Sequence, residues 1–182
     1  MLLSKSSSAV VSHRYQIMKL LTLLFALALA WLPAAQAKDP EVQMFDISQT
    51  VIKMALADGV TWDAASEAMM SKAAELNMKL VGRQNVGKEL QARGIPSPNL
   101  EIFQFCDPED AMKMVAFNTI YAAYMPCRIA LVEDNSKKNW LLMLNLDMLI
   151  NAFALPAELQ AIAIGVNGEM LSILTAGATG NF

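Results

Sequence analysis

The stretch "LEIFQFCDPEDAMKM", residues 100–114, predicts a β-strand that leads directly into an α-helix. Alternation along the strand places Phe105 on one face and Cys106 on the other. Asp107 followed by Pro108 is typical of a helix start, with an N-cap residue and then proline at the first helical position. The rest of the fold prediction therefore starts from this strand-to-helix unit.

The neighbouring sequence extends this unit into a single domain. Strand-like runs alternate with helical periodicity, and "NSKKN" is typical of a hairpin turn. Thr61 is a suitable N-cap, Asn77 can take the left-handed position at a helix end, and Gly165 and Gly168 predict a weakened terminal helix. The predicted order is strand (51–60), helix (62–77), strand (78–86), short helix and loop (87–98), strand (100–106), helix (107–117), strand (127–134), strand (140–146) and terminal helix (156–176). We predict one two-layer α+β domain, with a mixed β-sheet covered by helices.

The first 37 residues have the features of an export signal. Lys19 precedes a continuous apolar run from Leu20 to Leu32, and Ala35–Ala37 has the small-x-small cleavage pattern. The run has 13 residues, which is short of the roughly 20 that span a bilayer. We predict a signal peptide over residues 1–37, with Met18 as a possible true start, and a mature domain over residues 38–182 without a transmembrane segment. The expected location is the periplasm or the extracellular medium.

The composition of the mature chain excludes several function classes. Loss of the predicted signal peptide removes three of the 14 basic residues. The remaining 11 basic residues and 17 acidic residues give a net charge of 11 − 17 = −6. Such an acidic chain is a poor candidate for binding nucleic acid. The only histidine, His13, lies in the predicted signal. The mature chain therefore lacks the histidine needed for Ser-His-Asp or Cys-His catalysis and for histidine-ligated metals.

Several segments together resemble a known family. They are "LEIFQFCDPEDAMKM", "MPCRIALVED", "WLLMLNLDMLI" and "LPAELQAI", in this order. Over residues 48–175 the chain resembles the DUF302 family, domain of unknown function 302, and its "FC" and "PC" cysteines resemble those of an exported subgroup. The resemblance implies a small two-layer α+β domain that is often a homodimer. Since the function of the family is unassigned, the resemblance implies no catalytic residue.

The two cysteines, Cys106 and Cys127, are the main candidate site. An oxidising compartment and an even cysteine count favour a Cys106–Cys127 disulfide. The helix start beside Cys106 would lower its pKa, but the acids there oppose this effect. A thiol redox or sulfur-handling pair therefore stays an alternative. A third possibility is a haem or Cu(I) site, for which the candidate ligands are Cys106, Cys127, Met112 and Met125.

The remaining candidates are weaker. Tyr121, Tyr124, Met125 and Arg128 are predicted to line a possible pocket. Glu101, on the strand face opposite Cys106, is interpreted as a charge that protects an edge strand. We predict no cofactor and no catalytic residue. The expected function is that of a non-enzymatic binding or accessory protein, with the thiol and haem or copper roles as alternatives.

Overall fold

The computed structural model describes residues 47–152 and 154–181. The predicted signal peptide and residues 38–46 lie outside these described residues. The described chain begins with a short 3-10 turn, Ile47–Thr50, that leads into the first strand.

The described residues form five strands and five α-helices. The strands are β1 (Val51–Ala55), β2 (Lys79–Asn85), β3 (Leu100–Cys106), β4 (Cys127–Glu133) and β5 (Asn139–Leu144). The helices are α1 (Trp62–Glu75), α2 (Val86–Ala92), α3 (Pro108–Phe117), α4 (Leu146–Ala152) and α5 (Ala157–Thr179), and a 3-10 helix covers Thr119–Tyr124. The α+β class predicted from the sequence is confirmed.

The sheet has the order β1-β5-β4-β3-β2. Every neighbouring pair in it is antiparallel, so the predicted mixed sheet is wrong. The reason is the position of β1, which pairs with β5 and not with β2. Helix α1 therefore carries the chain from one edge of the sheet to the other, and the sequence offers no local signal for that choice of partner.

The predicted helix caps are confirmed. The Thr61 hydroxyl accepts a hydrogen bond from the backbone N–H of Ala64, at 3.1 Å. One carboxylate oxygen of Asp107 accepts from the N–H groups of Glu109 and Asp110, at 2.8 and 3.1 Å. Asn77 has a φ of 60°, the left-handed conformation expected after α1. Local sequence chemistry therefore determines where these helices begin and end.

Two helical features differ from the prediction. Helix α4 was not predicted, because its seven residues directly follow β5 and continue the same apolar run. Helix α5 is continuous over 23 residues, although Gly165 and Gly168 predicted a weakened helix. Packing overrides this weak propensity, because α5 buries Met170, Ile173 and Leu174 in the core.

The hydrophobic core lies between one face of the sheet and helices α1 and α5. Phe103 and Phe105 from β3 are fully buried, and their stacked rings have centroids 6.4 Å apart. Ile129 from β4 and Leu141 from β5 extend the same buried face. Each such side chain contributes about 1.5–3 kcal/mol on burial, so this single layer dominates the stability of the domain.

Glu101 occupies an unexpected position in that layer. It lies on β3, which is a central strand, and it is only 3% exposed, so its interpretation as an edge-strand charge is wrong. Arg83 binds one carboxylate oxygen at 2.6 Å and the Trp62 indole N–H donates to the other at 3.0 Å. Burial alone would raise the pKa of Glu101, but the hydrogen bonds from Arg83 and Trp62 hold it below its usual value. The carboxylate is therefore buried as part of a paired network.

Helix α5 is the one described helix that is long and apolar enough to cross a membrane by length and composition alone. Its most apolar window has a mean hydropathy of 1.4, and 39% of that window is buried inside the protein. The central helix of a folded domain has the same properties. The backbone N–H of Ala57 also donates to the carbonyl of Ala178 at 2.8 Å, which ties the end of α5 to the chain after β1.

Two glycines of α5 provide a test of this packing. A Cβ atom added at Gly177 would lie 2.5 Å from Cγ of Met69 and 2.9 Å from Cδ1 of Leu141, whereas one added at Gly168 would meet nothing within 4 Å. We expect Gly177→Ala to lower the free energy of unfolding by about 1–2 kcal/mol, because overpacking outweighs the gain in helix propensity. The matched Gly168→Ala change should raise it by about 0.5–1 kcal/mol. Urea unfolding checks both, and a stabilising effect at Gly177 would contradict the close packing of α1 and α5.

Candidate functional site

The largest group of candidate residues surrounds a pocket at one end of the sheet, where β3 ends and β4 begins. The cavity measures about 140 Å³. Its first wall comes from the sheet and the residue before β2: Met78, Phe105, Cys106 and Cys127. Its second wall comes from α3 and the segment after it: Asp107, Asp110, Ala111, Met114, Tyr121, Tyr124 and Met125. Its third wall comes from α4, α5 and Leu155 between them: Leu146, Leu149, Ile150, Leu155, Ile162, Ala163 and Val166.

The strand register explains how both cysteines reach this pocket. Cys127 is directly opposite Phe105 in the β3–β4 pair, so it lies on the helix-covered face of the sheet. Cys106 is the last residue of β3, where the chain turns into the cap of α3. Alternation alone would place Cys106 on the other face, but the strand ends there and both residues line the same cavity.

Both cysteines are free thiols in the structure. The expected Cys106–Cys127 disulfide is therefore not formed there. The Cys106 thiol instead donates to the backbone carbonyl of Asp107, with sulfur and oxygen 3.5 Å apart. This contact turns Cys106 toward the start of α3, because its strand has already ended.

The surroundings of the two thiols disfavour their ionised form. Burial, followed by the effect of the nearby Cys106 charge, raises the pKa of Cys127 to about 11. Burial, followed by the charge of Asp107, also raises the pKa of Cys106. The positive end of α3 does not reverse this effect. Both groups are therefore protonated thiols at neutral pH, which does not favour a low-pKa nucleophile of the redox type.

Three carboxylates lie around one side of the pocket. Asp107 and Asp110 belong to its lining, and burial together with these two acids raises the pKa of Glu169 on α5. Asp107 is occupied as a helix cap, and Asp110 binds Lys113 at 2.8 Å. These acids are therefore the charged groups on this side of a cavity whose lining is otherwise mostly apolar.

The structure separates the predicted pocket residues into two groups. Tyr121, Tyr124 and Met125 line the cavity beside the cysteines, as the sequence suggested. Arg128 does not line it, because it follows Cys127 on β4 and is directly opposite Gln104, whereas Cys127 is opposite Phe105. Arg128 instead lines a second pocket, of about 280 Å³, with Ile102 and Ala130.

The candidate metal ligands are also divided. Met112 is 63% exposed and is not part of the cavity lining. Met114, two residues later on α3, is part of the lining, and so is Met78. Within residues 47–152 and 154–181, no group of three or more His, Cys, Asp or Glu side chains could hold a metal ion.

The third wall was missed by sequence reasoning. It depends on α4, which was not predicted, and on the first half of α5. The spacing of Ile162, Ala163 and Val166 is the available signal, since residues three and four apart share one helix face. Asn167, next on α5, donates to Asp147 of α4 at 2.8 Å and so fixes the two helices to each other.

Comparison with known proteins identifies the class of this domain. A family model described as "Domain of unknown function DUF302" matches residues 52–177. The chain therefore belongs to the DUF302 family, as its sequence motifs suggested. A search of curated proteins found no match.

A solved structure shows the same fold. It is the crystal structure of an uncharacterized conserved DUF302 protein from Bacillus stearothermophilus, 19% identical to this chain, with a TM-score of 0.58. The likeness covers 70% of this chain and 97% of that one.

The raised thiol pKa predicts slow alkylation. At pH 8 the thiolate fraction of a cysteine with a pKa of about 11 is about one-hundredth of that with the ordinary value of 9.0. We expect iodoacetamide to modify Cys127 about a hundredfold more slowly in the folded protein than in the urea-unfolded chain. The folded rate should rise about tenfold per pH unit between pH 8 and 10. Site-resolved mass spectrometry measures both rates, and equal rates in the two states would contradict the buried thiol.

Proposed function

We propose that this chain is an exported, non-enzymatic binding protein whose cavity beside Cys106 and Cys127 takes up a small apolar molecule. The observation that carries the proposal is the cavity itself, about 140 Å³ in volume and lined almost entirely by apolar side chains. An apolar cavity of about 150 Å³ in another protein stays dry and binds benzene. The ligand class that fits here is therefore an uncharged molecule about the size of one aromatic ring.

The chemistry of the lining supports binding over catalysis. Its two carboxylates are held by a helix cap and by an ion pair. Its two thiols have raised pKa values, which disfavours a nucleophile at neutral pH. Neither thiol therefore fits a thiol redox or sulfur-transfer role that depends on a stable thiolate.

The haem alternative is disfavoured by size. Pockets that bury drug-sized ligands measure about 300–1,000 Å³, whereas this cavity measures about 140 Å³. A haem macrocycle would need the walls formed by α3 and α5 to separate. A single metal ion, in contrast, fits the available volume.

Filling the cavity should abolish binding of a small apolar probe. Ala111 lines the cavity on α3, while Ala116 on the same helix is exposed and lies outside it. We expect benzene to raise the unfolding midpoint of the wild type and of Ala116→Trp, because a ligand that binds only the folded state stabilises it. Ala111→Trp should lose this shift. Proton NMR ring-current shifts give an independent measure of benzene binding.

A second cavity-filling variant keeps the test informative. If Ala111→Trp fails to fold by circular dichroism, Ala163→Phe fills the same cavity from α5. A wild type that shows no benzene-dependent shift would contradict the proposal. So would benzene binding that persists in a folded cavity-filled variant, since the probe would then bind elsewhere.

We also propose that the chain is exported with cleavage after Ala37 and that the mature domain forms a homodimer. The signal-like residues 1–37 support the first statement and the family resemblance supports the second. We expect the intact mass of the exported protein to begin at Lys38, and light scattering to give twice that mass. A mass that retains residues 20–32 would contradict cleavage, and a monomeric mass would contradict the dimer.

A further inference from the structure

Five sulfur-bearing side chains converge on the cavity from separate parts of the chain. Cys106 ends β3, Cys127 begins β4, Met114 lies on α3, and Met78 and Met125 each lie shortly before a strand. Methionine often fills irregular cores. Here, however, the three thioethers and two thiols line an open cavity beside several acids. Core filling alone does not explain why five sulfur atoms meet there.

The donor set indicates which ions could bind. Thiolate and thioether sulfurs are soft ligands that select Cu(I), whereas Mg²⁺ and Ca²⁺ require oxygen ligands. The described residues hold no group of three His, Cys, Asp or Glu side chains suited to a metal ion, so the usual zinc sets are missing from this part of the chain. A soft monovalent ion that accepts thioethers is the ion that these side chains fit.

We propose that the cavity binds one Cu(I) ion between the sulfur atoms of Cys106 and Cys127, with a thioether of the lining as a further ligand. This inference rests on the proposed binding role of the same cavity and names a second class of ligand for it. One cysteine releases its proton to the solvent and binds copper as a thiolate, while the other cysteine and the methionine bind through uncharged sulfur atoms. Copper stays in the +1 state, so no oxidant or reductant takes part.

The charges around the cavity support a monovalent cation. A Cu⁺ ion paired with one thiolate is neutral, and an apolar site tolerates a neutral complex far better than an isolated charge. Asp107 and Asp110 belong to the lining and favour a cation over an anion there.

The position of the two cysteines also favours a shared ion. Cys127 is opposite Phe105, the residue just before Cys106, and because β3 ends at Cys106 both cysteines line the same cavity. A single ion in this cavity can therefore contact both sulfur atoms.

The test uses the reduced full-length mature protein, residues 38–182, under anaerobic conditions. Free thiols are counted first, and Cu(I) is then titrated against a chromogenic Cu(I) chelator. We expect one Cu(I) per chain and a near-ultraviolet sulfur-to-copper band. Cys106→Ser and Cys127→Ser should each weaken Cu(I) binding at least tenfold, and Zn(II) at the same concentration should not displace copper.

Two methionines on α3 give a matched control. Met114→Leu should weaken Cu(I) binding several-fold, since Met114 lines the cavity. Met112→Leu should leave it unchanged, since Met112 is 63% exposed and lies outside the lining. Failure to retain Cu(I) against the chelator would overturn the proposal. Unchanged binding in either cysteine variant, or an equal loss at Met112, would do the same.

Benzene binding separates this inference from the proposed function. Cys127→Ser should still bind benzene, which also shows that the variant is folded. If benzene binds and copper does not, only the copper site is wrong. If Cu(I) binds and Ala111→Trp abolishes it, the ion occupies the same cavity. If copper binds equally well to folded Ala111→Trp, the ion lies elsewhere and the proposed site is wrong.

Discussion

The pairing of β3 with β4 is the constraint on which the rest of this domain depends. Its register places Phe103 opposite Ile129 and Phe105 opposite Cys127, so one face carries both the core and the cavity wall. Because side chains alternate along a strand, a slip of one residue would move the buried phenylalanines to the other face. Such a slip would disrupt the core, the surface on which α5 packs and the position of Cys127 at the same time. Core packing and the candidate site are therefore specified by the same set of backbone hydrogen bonds.

Local chemistry explains the parts of the fold that the sequence predicted well. The Asp107 cap, the Thr61 cap and the left-handed Asn77 are each determined by a few neighbouring residues. The antiparallel sheet and the edge position of β1 were not predictable in this way. They depend on β1 pairing with β5, a contact between distant parts of the chain. Glu101 was misread for the same reason, since its partners Arg83 and Trp62 lie on other elements.

The candidate site was predicted in part. Both cysteines and the segment Tyr121–Met125 follow from their closeness in sequence to strand ends, and they do meet in one cavity. The third wall required α4 and the packing of α5, and neither follows from periodicity alone. The bond state of the cysteines was also beyond sequence reasoning, because it depends on the direction of one thiol. That direction is set by the Asp107 carbonyl at the end of β3.

The contact between Ala57 and Ala178 has a consequence for the folding of the chain. It joins the loop after the first strand to the end of the last helix, and β1 itself is paired only with β5. Contacts between residues so far apart slow folding, since most of the chain must be present before they can form. We expect β1 to join the sheet only after β5 and α5 have been made. On the proposed export route, in which the chain is threaded through a membrane channel, such late closure would keep it open to transport.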